Sequence, residues 1–248
     1  KHIGMDYTTI GYGYAKLGVN FKDIKPSHFF FASMTYPGKI MGLAGYGIPS
    51  KLHVEPFKRF LCNYKINTDC IEDLKHLNIE VYHPAKFPDV SMSEFQRRYG
   101  ISGIEQYEIA ASLQLAFEEV AIKLIAPVIK ANPDLPICFS GGCALNILLN
   151  TRLMTEFNKE LFIPPDPSDC GLSLGAMLFY TKQTYQDPYS GPEILDIDLM
   201  SEYLYSNFGT SAEFKIINNP AIEDIADYIA DGMIIGVCLL YTSDAADD

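Results

Sequence analysis

The sequence is poor in basic residues. Its 248 residues include 19 lysines and arginines against 31 aspartates and glutamates, which gives a formal net charge of −12 and an isoelectric point near 4.8. Affinity for nucleic acid depends largely on lysine and arginine side chains that neutralise backbone phosphates. A chain with this balance carries no basic field for that purpose, so we exclude nucleic acid as its main partner.

Long apolar runs are also missing. The longest, around residues 234–240, falls well short of the roughly 20 residues that a membrane-spanning helix needs. With 48% hydrophobic and 20% charged residues, the composition is that of a globular protein. The sequence therefore predicts a soluble, cytoplasmic protein without a membrane partner, organised as one large domain or two small ones.

The six cysteines and five histidines show no ligand spacing. There is no CxxC pair, no HExxH and no HxxxH in the sequence. Neither a disulfide framework nor a zinc ribbon is therefore expected, and buried free thiols are the simpler interpretation.

The last eleven residues, 238–248, differ from the rest of the chain. Their sequence, CLLYTSDAADD, resembles the translation of a transposase-type sequencing-library adapter, and we expect them to be non-native. They contain three aspartates and no basic residue, so the acidic balance survives their removal. The native part of the domain is then expected to span residues 1–237.

Apolar periodicity predicts both helices and strands. Residues 104–125 carry apolar side chains at three- and four-residue steps, which predicts a helix with one buried face, and Pro127 is expected to end or kink it. Shorter helices are predicted at residues 7–17, 55–64 and 68–77. A strand is predicted at residues 79–82.

Two consecutive units then follow the order strand, turn, helix. The first is a strand at residues 135–140, a Gly-Gly turn and a helix from residue 144 onward. The second is a strand at residues 160–163, a proline-rich turn and a helix at residues 171–181. A further strand, helix and strand are predicted at residues 214–217, 221–230 and 233–237. This alternation predicts an α/β fold with a mixed or parallel sheet flanked by helices.

Two of the turns could carry chemistry. In SGGCALN, residues 140–146, Gly141 and Gly142 lack Cβ atoms, so a ligand can approach the backbone amides at the start of a helix. The simpler alternative, which spacing alone favours, is a tight turn. Asp169 likewise fits either a helix N-cap or a carboxylate that holds a metal or substrate at the edge of an α/β sheet.

A third segment, GKIMGLAGYG at residues 38–47, places four glycines around Lys39. It is not a P-loop, because Lys39 precedes most of the glycines and no serine or threonine follows it directly. The segment predicts either a mobile surface loop or a lysine that faces a phosphate.

Taken together, these segments resemble the bacterial O-carbamoyltransferases, the nodulation-factor and antibiotic-tailoring enzymes of the cephamycin and tobramycin type. Residues 38–47 match GKxMGLAxYG, residues 140–150 match SGGxALNxxxN, and residues 165–177 match PxxSDxGLxLGAA. Residues 110–114 and 232–237 also match. The chain departs from the family pattern at Pro37, where glutamate is usual, and at Met177, where alanine is usual.

The resemblance implies an actin-like ATPase fold, of the ribonuclease H-like type, which is incomplete in this chain. In the family this domain is similar to the tRNA threonylcarbamoyl-transfer enzyme and precedes a YrdC-like domain, which this sequence does not contain. The YrdC-like domain makes carbamoyl-adenylate from ATP and carbamoyl phosphate, and the actin-like domain transfers the carbamoyl group to a hydroxyl of a small-molecule acceptor.

The resemblance also implies roles for individual residues. Gly141, Gly142 and Asn146 would line the adenylate, and Lys39 would neutralise phosphate charge. Asp169 would hold a metal, iron or another divalent ion such as magnesium, that polarises the carbamoyl carbonyl. No general base is identified for the acceptor hydroxyl.

Other elements of the family pattern are expected outside this sequence. An HxxxH motif that supplies metal ligands is expected before residue 1, and GxxEFGPRALGxRS is expected after residue 237. We therefore expect the fragment alone to be inactive. The alternatives are a relative of the threonylcarbamoyl-transfer enzyme or of sugar kinases, and a nucleotide-binding module without catalysis. An aminoglycoside, a cephem, a lipochitooligosaccharide and a plain sugar all stay open as acceptors.

Overall fold

The computed structural model describes most of the chain. The described residues are 10–25, 35–62, 68–82, 86–184, 202–203, 205–207, 217 and 221–233. The chain divides into two compact units, Lys1–Lys182 and Gln183–Asp248.

The described part of the first unit contains eight helices and one pair of short strands. In chain order they are α1 (Ile10–Lys16), α2 (Tyr36–Ala44), α3 (Lys51–Cys62), α4 (Thr68–Lys75), α5 (Met92–Tyr99), α6 (Ile104–Ala131), β1 (Ile137–Cys138), α7 (Ile147–Phe157), β2 (Leu161–Phe162) and α8 (Leu172–Thr181). Single turns of 3-10 helix lie at Leu17–Asn20, Gly142–Leu145 and Asp169–Gly171.

The long helix α6 is the centre of the unit. It packs against α1, α2, α3 and α7, and its side chains at Ile109, Leu113, Phe117 and Val120 are buried. This confirms the helix and the buried face that the apolar periodicity predicts. The buried stretch of α6 ends at Ala121, and the apolar side chain of Val128 is 65% exposed.

Of the two alternatives for Pro127, an end of the helix at that point is wrong, because α6 continues to Ala131, and a kink stays a prediction. Proline at this position deprives the carbonyl of Lys123 of its helical partner. Lys123 is exposed, so water can satisfy that carbonyl. The helix then ends at Asn132, whose side-chain Nδ2 donates to the carbonyl of Val128 at 2.9 Å.

The strands β1 and β2 are parallel, with Ile137 opposite Leu161 and Cys138 opposite Phe162. Both lie inside the segments for which strands were predicted, and both are shorter. The predicted strand at residues 79–82 is wrong, since those residues belong to no strand. Helices α3, α4 and α8 occupy the predicted helical segments to within a few residues. A parallel strand pair flanked by helices is compatible with the predicted α/β class.

The second unit contains helix α9 (Ile222–Ala230), which confirms the helix predicted there. Its first turn carries Glu223 and Asp224, and the Asp224 carboxylate accepts the backbone N–H of Ala221 at 3.3 Å. Negative charge at the N-terminus of a helix stabilises the helix by interacting with its dipole. The strands predicted at residues 214–217 and 233–237 lie almost entirely outside the described residues.

No helix within the described ranges combines the length and the apolar character needed to cross a membrane.

Shortening Leu113 is expected to destabilise the first unit by about 2–5 kcal/mol, because Leu113 is fully buried in the core around α6 and a Leu113→Ala variant leaves a cavity. Urea unfolding monitored by circular dichroism measures the change. Val128→Ala on the same helix is the control and is expected to change stability by no more than about 0.5 kcal/mol. Equal losses in the two variants would contradict the burial pattern described for α6.

Candidate functional site

Two turns meet at the carboxyl ends of the parallel strands. The first follows β1 and contains Gly141 and Gly142, and the second follows β2 and contains Pro167 and Asp169. The backbone N–H of Gly141 donates to the carbonyl of Pro167 at 2.6 Å, which joins the two turns directly. In open α/β sheets this edge is where ligands bind. We call the residues of the two turns, 140–146 and 163–169, the strand-end site.

Gly141 adopts a backbone conformation that other residues avoid. Its φ of 95° and ψ of 168° lie in a region that is essentially restricted to glycine. A Cβ atom placed on Gly141 or Gly142 would have no atom within 4 Å. The space beside the first turn is therefore open, and a ligand can reach the backbone at both glycines.

Asn146 ends the first turn and begins α7. Its Oδ1 accepts the backbone N–H of Leu149 at 3.0 Å, which is the hydrogen bond of an N-cap. The side chain is 5% exposed and is paired with Gln114 on α6 through two further hydrogen bonds. Asn146 thus anchors the turn to the core, and its predicted contact with an adenylate stays a prediction.

Two more groups, the buried Asn150 and the partly buried Cys143, support the first turn. Asn150 on α7 donates from Nδ2 to the carbonyl of Ala144 at 2.7 Å, while its Oδ1 is buried with no hydrogen-bond partner among the described residues. Burial raises the pKa of the Cys143 thiol, and the backbone N–H of Gly11 donates to it. Cys143 is partly buried and packs against the core.

In the second turn, Ser168 and not Asp169 caps the following helical turn. The Ser168 hydroxyl accepts the backbone N–H of Cys170 at 3.3 Å and donates to Asp166 at 3.1 Å. The alternative that Asp169 is the N-cap is therefore wrong. Asp169 is exposed, and within the described ranges its carboxylate forms no hydrogen bond or ion pair. A Cβ on Gly171 would lie 2.1 Å from the carbonyl oxygen of Asp166, so only glycine allows this tight closure.

Lys39 lies in helix α2, which includes residues 38–44, so the mobile-loop alternative is wrong for that part of the segment. Pro37 occupies the first turn of the helix, where its missing N–H costs nothing. Tyr36 and Ile40 are buried on the inner face, and Lys39 is exposed. No hydrogen bond or ion pair joins Lys39 to another described residue. Of the predicted site residues, the structure brings Gly141, Gly142, Asn146 and Asp169 into two joined turns, while Lys39 lies on a separate helix.

Contact between α2 and α6 is close at the glycine turn that follows α2. A Cβ on Gly47 would lie 2.0 Å from the carbonyl oxygen of Tyr107. The hydroxyl of Ser112 accepts the backbone N–H of Ser50 at 2.9 Å and so fixes the start of α3 on the same helix. Gly47 thus has a packing reason that the sequence pattern did not reveal.

Comparison with known proteins decides the family. The family model described as the carbamoyltransferase N-terminus matches residues 2–178, more than half of the chain. The chain belongs to this carbamoyltransferase family. The match confirms the family that the three sequence motifs predict, and it includes both turns of the strand-end site and Lys39.

Curated relatives of this carbamoyltransferase-family chain include nodulation proteins. Nodulation protein NolO of Bradyrhizobium diazoefficiens is 26% identical over 230 residues, which cover 84% of this chain and 39% of NolO. Nodulation protein NolNO of Sinorhizobium fredii is 28% identical over 208 residues, which cover 80% of this chain and 29% of NolNO. The chain thus spans well under half the length of these relatives. No solved structure matches it.

The sequence motifs point to the residues of the two turns but not to the residue that holds the first turn in place. Gln114 lies in the matching segment 110–114, yet sequence analysis gave it no role. It is a polar residue among the apolar positions of the buried face of α6, and it is 3% exposed. Buried amides require hydrogen-bond partners, so a glutamine at a buried position of α6 was the signal that could have revealed this contact.

Replacing Gly141 in this carbamoyltransferase-family chain by alanine is expected to cost about 1–3 kcal/mol of stability, because alanine tolerates the observed φ and ψ poorly. Gly142→Ala is the matched control, since its Cβ meets equally open space and its φ lies outside the left-handed range. Chemical unfolding of both variants measures the difference. If the two substitutions cost the same, the backbone conformation at Gly141 is not the cause.

Proposed function

We propose that the chain is the nucleotide-binding part of an O-carbamoyltransferase. The observation that carries this proposal is the open first turn of the strand-end site, where the backbone of Gly141 and Gly142 faces open space beside a second turn that ends in Asp169. The amide of Gly141 donates to Pro167, so the amide of Gly142 is the one offered to a ligand. Glycine amides at the start of a helix are suited to phosphate groups. Membership of the carbamoyltransferase family supplies the reaction class.

The fold that we propose for the complete domain is that of the actin-like ATPases, with a ribonuclease H-like sheet. It is supported by two parallel strands that are each followed by a turn and a helix. In that arrangement both turns face one ligand at the carboxyl edge of the sheet.

We propose carbamoyl-adenylate, made from ATP and carbamoyl phosphate, as the carbamoyl donor. Gly142 binds its phosphate through the backbone amide, Gly141 lets the phosphate approach because it has no side chain, Asn146 keeps the helix start in place beneath it, and Lys39 contributes positive charge. In the transfer step an acceptor hydroxyl attacks the carbamoyl carbon, the bond from that carbon to the phosphate oxygen breaks, AMP leaves, and the hydroxyl proton passes to a base.

The acceptor that we propose is a hydroxyl of a sugar, antibiotic or nodulation-factor type molecule, and the names of the nodulation relatives support a nodulation-type acceptor. A cytoplasmic location is part of the same proposal, because ATP and carbamoyl phosphate are the co-substrates.

The described residues do not fit a complete metal site. No group of three histidine, cysteine, aspartate or glutamate side chains is close enough within the described ranges to hold an ion. Asp169 is a single exposed carboxylate, and one such ligand does not hold iron or magnesium tightly. The role of Asp169 as a metal ligand stays a prediction, and no step of the proposed reaction depends on it.

Nucleotide binding by this chain tests the proposal, with ATP titrated by calorimetry. A Gly142→Val variant is expected to bind ATP at least about tenfold more weakly, because the new side chain fills the open space beside the turn. Gly175→Val on α8, where a Cβ also meets no atom within 4 Å, is the control and should bind as the unaltered chain does. Absence of ATP binding in the unaltered chain, or equal binding in both variants, would sink the proposal.

Lys39 is tested separately through its charge. Lys39→Gln is expected to weaken ATP binding a few-fold at low salt, and the difference should shrink as salt rises because exposed charges are screened. Lys123→Gln removes another exposed lysine, on α6, and should have no effect. Unchanged ATP affinity of the Lys39→Gln variant at low salt would exclude a phosphate contact.

A further inference from the structure

The amide of Gln114 uses every donor and acceptor that it has. Its Oε1 accepts the hydroxyl of Tyr14 at 2.6 Å and Nδ2 of Asn146 at 3.1 Å. Its Nε2 donates to Oδ1 of Asn146 at 3.0 Å and to Oε1 of Glu118 at 2.8 Å. A side-chain amide offers two hydrogens and two lone pairs on oxygen, so Gln114 is fully satisfied in this orientation.

The orientation of the Gln114 and Asn146 amides is determined by Glu118 on one side and by the backbone N–H of Leu149 on the other. The Glu118 carboxylate, paired with Arg152 at 3.2 Å, can only accept, so Nε2 of Gln114 must face it. The backbone N–H of Leu149 can only donate, so Oδ1 of Asn146 must face that group. The Tyr14 hydroxyl donates to Oε1 of Gln114, and burial, together with the nearby Glu118, raises the pKa of Tyr14 and keeps it protonated.

This orientation matters for the first turn of the strand-end site. If the Asn146 amide were reversed, its Nδ2 would face the N–H of Leu149, and the N-cap of α7 would be lost. The turn depends on the same start of the helix, because Asn146 N–H donates to the carbonyl of Cys143 at 3.1 Å and Ala144 N–H donates to that of Gly141 at 2.9 Å.

We infer that Gln114 is a positioning residue of the strand-end site: its amide holds Asn146 in the one orientation that keeps Gly141 and Gly142 open to a ligand. The hydrogen bonds of Gln114 go to Tyr14, Glu118 and Asn146 and to neither glycine, so Gln114 acts through Asn146. The effect on ligand binding rests on the proposed nucleotide site, whereas the effect on the position of the turn does not.

A Gln114→Glu variant tests this role without changing the size of the side chain. The new carboxylate places an oxygen against Oδ1 of Asn146, so the cap of α7 is expected to weaken and the first turn to shift. Selective ¹⁵N labelling of the 18 glycines gives a simple amide spectrum, in which Gly141→Ala and Gly142→Ala assign the two signals. Gln114→Glu is expected to move or split both signals and to weaken ATP binding about tenfold.

The double variant Gln114→Glu/Glu118→Gln separates positioning from stability. It exchanges donor and acceptor between residues 114 and 118, so their hydrogen bond on α6 re-forms and the melting temperature is expected to recover towards that of the unaltered chain. The conflict with Oδ1 of Asn146 persists, so the signals of Gly141 and Gly142 should stay displaced. This variant also serves where the single variant does not fold.

The control is Gln106→Glu, which makes the same substitution at a residue of α6 that is 1% exposed and contacts the backbone of Asp23. It should leave the signals of Gly141 and Gly142 unchanged. The inference is overturned if Gln114→Glu also leaves them unchanged, or if the double variant restores them along with the melting temperature. If the glycine signals move as expected but the unaltered chain binds no ATP, the positioning role stands and the proposed nucleotide site fails.

Discussion

The reciprocal hydrogen bonds between Gln114 and Asn146 are the contact on which the rest of the site depends. They join the central helix α6 to the start of α7. Gln114 and Asn146 are 32 positions apart in the chain. Both side chains are buried, and a buried amide left without partners costs about 1–3 kcal/mol. The pair therefore rigidly connects the apolar core to a turn whose glycines face open space, and it allows an exposed backbone segment to have one defined conformation.

Apolar spacing and glycine positions were sufficient to predict the elements whose burial follows from their local sequence. The buried face of α6 follows from the apolar spacing of Ile109, Leu113 and Phe117, and the strand, turn, helix order around Gly141 follows from short apolar runs interrupted by glycine. Two of the three motifs that identify the family lie in the two turns of the strand-end site. Glycines and small polar residues there are constrained by the backbone, and such constraints are visible in a sequence.

Features that depend on tertiary packing could not be predicted from the sequence. The glycine-rich segment that contains Lys39 is helical because Tyr36 and Ile40 bury one face of it in the core, an outcome that local glycine content opposes. The choice between Ser168 and Asp169 as N-cap depends on the extended backbone at Ser168, with φ of −82° and ψ of −174°, which adjacent residues of similar capping preference do not reveal. The partner of Gln114 could not be identified because no local pattern specifies a contact over such a separation.

The register of the two short strands also determines how the two turns are aligned. With Ile137 opposite Leu161, the carbonyl of Pro167 lies within hydrogen-bonding distance of the Gly141 amide. A slip by one residue would displace one turn along the other by about 3.3 Å, more than the length of that hydrogen bond. The pairing of the two strands therefore sets the alignment of the two turns, and sliding β2 along β1 by one residue would break the hydrogen bond between Gly141 and Pro167.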